Sequence, residues 1–163
     1  MDPDPELYAL AERVGKGLRT RRQTVAVAES CTGGLLGGAL TDVPGSSSYF
    51  LGGLVAYADQ VKLDQLGVPA STLKTHGAVS AETAAAMAEG VRRLLRSGLG
   101  VSITGVAGPA AEDNKPAGLT FIGLADSKTT THRFQWQGDR WDNRRRSVLA
   151  ALELLVRALE GMS

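Results

Sequence analysis

The stretch "TVAVAESCTGGLLGGAL", Thr24 to Leu40, decides how the rest of the chain is read. Thr24 to Ala28 are small, β-branched or apolar on both faces, the pattern of a central strand covered by helices. The run stops at Glu29-Ser30-Cys31-Thr32, and Gly33-Gly34 lead into Leu35 to Leu40, a glycine-rich segment of helical character. A strand that passes into a helix through a small polar turn sets Ser30 near backbone N–H groups that the helix leaves free. Such groups hold a phosphate or a developing oxyanion. Ser30 is therefore a candidate nucleophile. The commoner use of Ser30 or Thr32 at such a junction is as an N-cap, and spacing alone leaves both readings open.

Upstream, a helix is predicted after Pro3 and Pro5, with Leu7, Leu10, Ala11, Val14 and Leu18 at helical spacing. Downstream, "DVPGSSS" is a turn and "YFLGGLVAY", Tyr49 to Tyr57, a second strand, in which Gly52-Gly53 mark a bulge or a close backbone approach. "LGVPASTLKTHGAVS" reads as a turn-rich connection. Ser80 caps a helix whose face carries Ala84, Met87, Ala88, Val91, Leu94 and Leu95 and which Gly98 ends. "GVSITG" is a short buried strand, Val106 to Pro116 a polar loop, and "GLTFIGLA" with "THRFQW" a hairpin around Asp126-Ser127-Lys128. A last helix is predicted from about Asp139, with Trp141, Val148, Leu152, Leu155 and Leu159 on one face. Strands alternating with helices, followed by a hairpin, predict an α/β fold. Its form is a three-layer α/β/α sandwich with a mixed sheet, built by residues 1–163 as a single domain.

Composition narrows the function. The 163-residue chain carries a formal net charge of +1, so no global charge attracts nucleic acid or a membrane surface. Cys31 is the only cysteine, which excludes an intrachain disulfide and multi-cysteine metal sites and fits a reducing compartment. "MDPDPELY" lacks the apolar core of a signal segment, and no apolar run is long enough to span a bilayer. A cytoplasmic protein with no membrane or nucleic-acid partner is the expectation, and a homo-oligomer is expected from the apolar faces that small domains leave exposed.

A serine nucleophile needs a base. The two histidines are His76, in a connection, and His132, on an alternating edge strand, and no rule of spacing brings either to Ser30. A lysine with a lowered pKa is the alternative. Lys62 follows a strand end in "AYADQVK" and shares an edge of the sheet with Ser30, while Lys115 competes from the polar loop. Each lysine also reads as an ordinary solvated residue. Cys31 ranks behind Ser30, since small buried cysteines are packing residues. Gly105, Gly108 and Pro109 follow a strand and let a ligand approach the backbone. "GDRWDNRRR" offers guanidinium groups for a phosphate or carboxylate. Cations in the first turn of a helix oppose its dipole, a hint that some of these arginines serve another purpose. There is no Walker loop, no complete dinucleotide fingerprint and no metal-ligand set.

Together, "AESCTGGLLGGALTDVPGSSSYFLGGLVAY", Lys62, "HGAVSAETAAAMAEG", "SITGVAGP", "KPAGLTFIGLA" and "GDR" resemble the CinA C-terminal domain family, in order from about residue 7 to residue 159. The enzymatic members of that family are nicotinamide-mononucleotide amidases. The resemblance implies a Ser/Lys amidohydrolase that deamidates nicotinamide mononucleotide without a metal or other cofactor. It puts the nucleophile on Ser30 and the base on Lys62. Tyr57, Thr104 and either Arg140 or Arg144 match supporting positions. Thr32, Gly33, Gly34 and Gly105 join them as the backbone that faces substrate. Lys62 would be neutral, its pKa depressed by burial and by a neighbouring arginine that also binds the substrate phosphate. Two departures stand out: Ala58-Asp59 replaces Ser-Asn after the tyrosine, and Ala110-Ala111-Glu112 replaces a run of glycines. The second motivates the alternative of a nucleotide-binding or competence/damage-related regulatory module with little activity. A role with DNA-uptake or recombination proteins finds no support in the near-neutral charge.

Overall fold

A computed structural model describes residues 1–162 of the chain. Five strands form one mixed sheet: β1 (Val25–Glu29), β2 (Phe50–Val55), β3 (Leu99–Gly105), β4 (Leu119–Ala125) and β5 (Thr129–Gln135), in the order β2-β1-β3-β4-β5. β1 runs parallel to both neighbours, and β4 and β5 complete the sheet in antiparallel fashion. The helices are α1 (Pro5–Arg21), α2 (Leu35–Thr41), α3 (Asp59–Leu66), α4 (Ala70–His76), α5 (Ala81–Leu95) and α6 (Arg140–Glu160). α1, α2 and α6 cover one face and α3, α4 and α5 the other, giving the expected α/β/α layering.

The alternation of β1 builds both cores. Val25 and Val27 pack with α1, α2 and α6, while Ala26 and Ala28 pack with Leu66, Val68, Met87 and Val91 beneath α3 and α5. Small residues let α5 lie close on the sheet: a Cβ on Gly100 would stand 2.2 Å from Ala88 O, and one on Gly123 2.4 Å from Ala84 O. The Gly52-Gly53 pair behaves as expected. The register shifts where Val25 pairs with Phe50 and Ala26 with Gly52, and a Cβ on Gly53 would meet Val27 O at 2.7 Å.

Side chains cap three helices, at Ser80 as expected and also at Asp4 and Asp139. Asp4 accepts from Glu6 N and Leu7 N before α1, Ser80 from Thr83 N before α5, and Asp139 from Asp142 N before α6. Elsewhere the structure corrects the reading. Ala70–His76 is a helix within the stretch read as a turn-rich connection, and Asp59–Leu66, to which no element was assigned, is another, with Lys62 inside it. α5 ends at Leu95 with Arg96 in the left-handed conformation. Gly98 lies further on, where its N–H donates to Thr24 Oγ1 and a Cβ would stand 2.1 Å from Gln23 Oε1. Leu94 and Trp141 point outward, at 46% and 58% exposure, off the buried stripes of α5 and α6. No helix of the described residues is long and apolar enough to cross a membrane.

Candidate active site

β1 and β3 are parallel neighbours whose flanking helices lie on opposite faces of the sheet, so a crevice opens at their C-terminal ends. There a cleft of about 330 Å³ is walled by Ser30 and Cys31 after β1, Thr104 and Gly105 at the end of β3, Tyr57, Asp59 and Lys62 around the start of α3, the loop from Val106 to Glu112, and Arg140 at the start of α6. A depression of about 320 Å³ between α1 and α6 is lined by Arg13, Lys16, Thr20, Arg21 and Glu160, among others, and lies away from Ser30 and Lys62.

Lys62 is the centre of the cleft. It is 1% exposed, and its Nζ lies 3.2 Å from Ser30 Oγ, 2.8 Å from Ala56 O and 3.1 Å from Tyr57 O. Burial pulls its pKa below the ordinary lysine value, because the charged form loses hydration. The carboxylate of Asp59, 3.9 Å away, pushes the other way, as do Cys31 and Glu112 more weakly. No guanidinium contributes to this shift, contrary to the expectation from the sequence. An ammonium at this position donates to all three oxygens. A neutral amine keeps two N–H groups for the two carbonyls and turns its lone pair to the Ser30 hydroxyl.

Ser30 follows directly from β1, held by Ser30 N donating to Ile103 O at 2.9 Å. Neither Ser30 nor Thr32 caps α2. Gly34, in the left-handed region at φ 106°, occupies the N-cap position with no side chain to offer. The cap comes from Glu29 instead. In phase with Val25 and Val27 on the strand, Glu29 turns towards α2, is 2% exposed, and accepts from Leu36 N (2.9 Å), Gly37 N (3.0 Å) and Thr32 Oγ1 (2.7 Å). A carboxylate on the last residue of an all-buried strand was a visible signal, and sequence reasoning passed over it. Relieved of capping, the Ser30 hydroxyl faces Lys62.

Cys31 also lines the cleft, but burial pushes its thiol up to about 12, against the opposing pull of Arg144, so it is protonated near neutral pH. Thr104 is buried and donates to Ala78 O at 2.8 Å. Tyr57 stands at the mouth, largely exposed, its hydroxyl accepting from Arg140 Nη2 at 3.2 Å while Arg140 Nη1 donates to Gly108 O at 2.7 Å. Thr32, Gly33, Gly34 and Arg144 do not line the cleft. Thr32 is spoken for by Glu29, and Arg144 lies behind the turn, donating to Cys31 O (3.0 Å) and Thr32 O (3.2 Å).

The other candidates lie elsewhere. His76 ends α4 and faces Glu82 at 3.7 Å, and His132 is on edge strand β5. Lys115 donates to His76 O and Val79 O and thereby ties down the two-residue turn Asp113-Asn114, both at positive φ, that projects Glu112 into the cleft. The arginines that opposed the α6 dipole all have work: Arg140 and Arg144 as described, Arg145 with Asp4 and Glu6, and Arg146 with Asp142.

The sequence matches the CinA C-terminal domain over residues 7–159. The chain belongs to the CinA C-terminal domain family. A CinA-like protein of Thermosynechococcus vestitus is 50% identical over 155 residues, covering 92% of this chain and 37% of the relative. A CinA-like protein of Frankia casuarinae is 50% identical over 153 residues, covering 93% and 35%. The crystal structure of the competence/damage inducible protein CihA from Agrobacterium tumefaciens superposes with a TM-score of 0.91 at 37% identity, over 98% of each chain. This CinA domain thus spans little more than a third of the length of the curated relatives it matches.

Proposed function

We propose that this CinA domain is a Ser/Lys amidohydrolase that deamidates nicotinamide mononucleotide to nicotinate mononucleotide and ammonia, a step of pyridine nucleotide salvage. The observation that carries this reading is the 3.2 Å approach of the buried Lys62 Nζ to Ser30 Oγ inside the cleft. Ser30 Oγ attacks the carboxamide carbon as its proton passes to the Lys62 lone pair. The carbonyl oxygen becomes an oxyanion, met by a backbone N–H of the turn that follows Ser30. Lys62 returns the proton to the amide nitrogen, the C–N bond breaks, ammonia leaves and an ester remains on Ser30. Water then attacks the ester while Lys62 takes its proton and passes it back to Ser30 Oγ as the acid departs. Arg140, at the cleft mouth beside Tyr57, takes the substrate phosphate, and Thr104 and Gly105 form the wall against which the pyridine lies.

Ammonia release from nicotinamide mononucleotide by the purified chain tests the reading. Turnover that disappears in Ser30→Ala supports it. A folded wild-type protein that releases no ammonia from the mononucleotide or from a panel of other carboxamides removes it. The cleft-lining segment Ala110-Ala111-Glu112, where the family resemblance implies a run of glycines, supports a second reading as a nucleotide-binding regulatory module. Calorimetric binding of the mononucleotide without ammonia release would favour that one.

A further inference from the structure

We propose that Arg144 is a positioning residue for acyl transfer, which aims and polarises the Cys31 N–H as the donor to the oxyanion through two successive peptide groups of the nucleophile turn. The inference rests on the amidohydrolase reading above and assigns Arg144 a task other than holding phosphate.

The relay is traced through the hydrogen bonds. Arg144 Nη2 donates to Thr32 O at 3.2 Å. The N–H of that same peptide group, on Gly33, donates to Ser30 O at 3.1 Å. The N–H of the Ser30 peptide group is that of Cys31, and among the described residues it has no backbone acceptor. Both peptide groups are trans, so each N–H points opposite to its C=O and the two dipoles run head to tail from the guanidinium towards Cys31. Hydrogen bonds in such a chain strengthen one another. Arg144 Nε adds a second hold on Cys31 O at 3.0 Å, which fixes the next peptide plane.

Three further observations agree. Of the turn residues after Ser30, Cys31 alone lines the cleft, and the residue after a nucleophile is a usual source of an oxyanion N–H. Arg145 and Arg146 are paired with carboxylates, whereas Arg144, among the described residues, pairs with none and directs its charge at these two carbonyls. The Trp141 ring lies 5.7 Å from the Arg144 guanidinium carbon, holding the planar group in place. Glu29 accepts from Thr32 Oγ1 and from Leu36 N at the start of α2, so the turn is held by a second side chain besides Arg144.

Arg144→Ala and Arg144→Lys in the purified full chain test the proposal, assayed with nicotinamide mononucleotide and with the phosphate-free nicotinamide riboside. Losing the aim and polarisation of one oxyanion donor should lower kcat by about 10- to 100-fold, below the roughly 10²- to 10³-fold loss seen when a donor is removed outright. The factor should be the same for both substrates, with KM within about twofold and the pH midpoint unmoved. Millimolar guanidinium ion should restore part of the kcat of Arg144→Ala, which a merely structural loss would not allow. If Arg144→Ala does not fold, Arg144→Lys carries the same comparison. A loss confined to the phosphate-bearing substrate and expressed in KM would overturn the proposal in favour of a phosphate ligand. So would wild-type kcat in both variants. Labelling of Ser30 by a fluorophosphonate, followed by mass spectrometry, separates the two levels. Wild-type protein that labels while the Arg144 variants label equally fast overturns the relay alone. Wild-type protein that neither labels nor turns over either substrate overturns the amidohydrolase reading and the relay with it.

Discussion

At Lys62, the burial that lowers the pKa and the carboxylates that raise it can be separated by experiment. A base must be neutral, so kcat/KM should rise with pH and level off above a midpoint lying below the ordinary lysine value. Asp59 is the largest influence holding that pKa up. Asp59→Asn should therefore move the midpoint to lower pH, and a pH–rate profile that stays in place would show that Asp59 does not act on Lys62. Lys62→Arg keeps a charge that does not readily come off, and Lys62→Met removes the amine. Either should reduce kcat by about 10²- to 10⁴-fold, the range of general-base catalysis, in single-turnover assays on folded protein. Ser30→Ala should abolish turnover, whereas Cys31→Ala should keep most of it, since the thiol titrates only near 12. Activity in Ser30→Ala with none in Cys31→Ala would reverse the assignment.

Among the elements, the turn between β1 and α2 depends on Glu29. Glutamine there would set an amide N–H₂ against donors that now meet a carboxylate oxygen, at a cost of about 2 kcal/mol. For a chain of this length that lowers the melting temperature by roughly 4–8 °C. Circular dichroism melts of Glu29→Gln check this, and an unchanged melt would mean that the cap is dispensable. The same turn shows how far the sequence could be read. β1 and the helices α1, α5 and α6 announced themselves through apolar runs and helical spacing, and α5 also through its Ser80 cap. α3 and α4 did not, for a physical reason. Both are short and lack a side-chain cap, and α3 buries Lys62 and Leu66, so half of its inward stripe is a lysine that reads as solvent-facing. Ser30 and Lys62 were legible as residue types, and the family resemblance paired them. The place of Glu29 and Arg144 behind the turn was not, because their partners are backbone atoms, which every sequence has.

Across the whole molecule, the cleft draws on β1, α3, β3, the loop before β4 and α6, segments separated by more than a hundred residues. A ligand that spans them binds only the folded chain and stabilises all of it. In Ser30→Ala, nicotinamide mononucleotide at a hundred times its Kd should add about 2.7 kcal/mol, or roughly 5–11 °C in melting temperature. Scanning calorimetry with and without the nucleotide measures this, and no shift at saturation would place binding outside the folded cleft. The three oxygens around Lys62 Nζ have one more consequence. Two are backbone carbonyls and the third is on the short Ser30 side chain, and the same three satisfy the amine in either protonation state. A proton can therefore cross and return with the heavy atoms stationary. The reorganisation that a long, flexible lysine would otherwise need at each transfer is completed once, during folding, and ester hydrolysis inherits the alignment under which the ester was made.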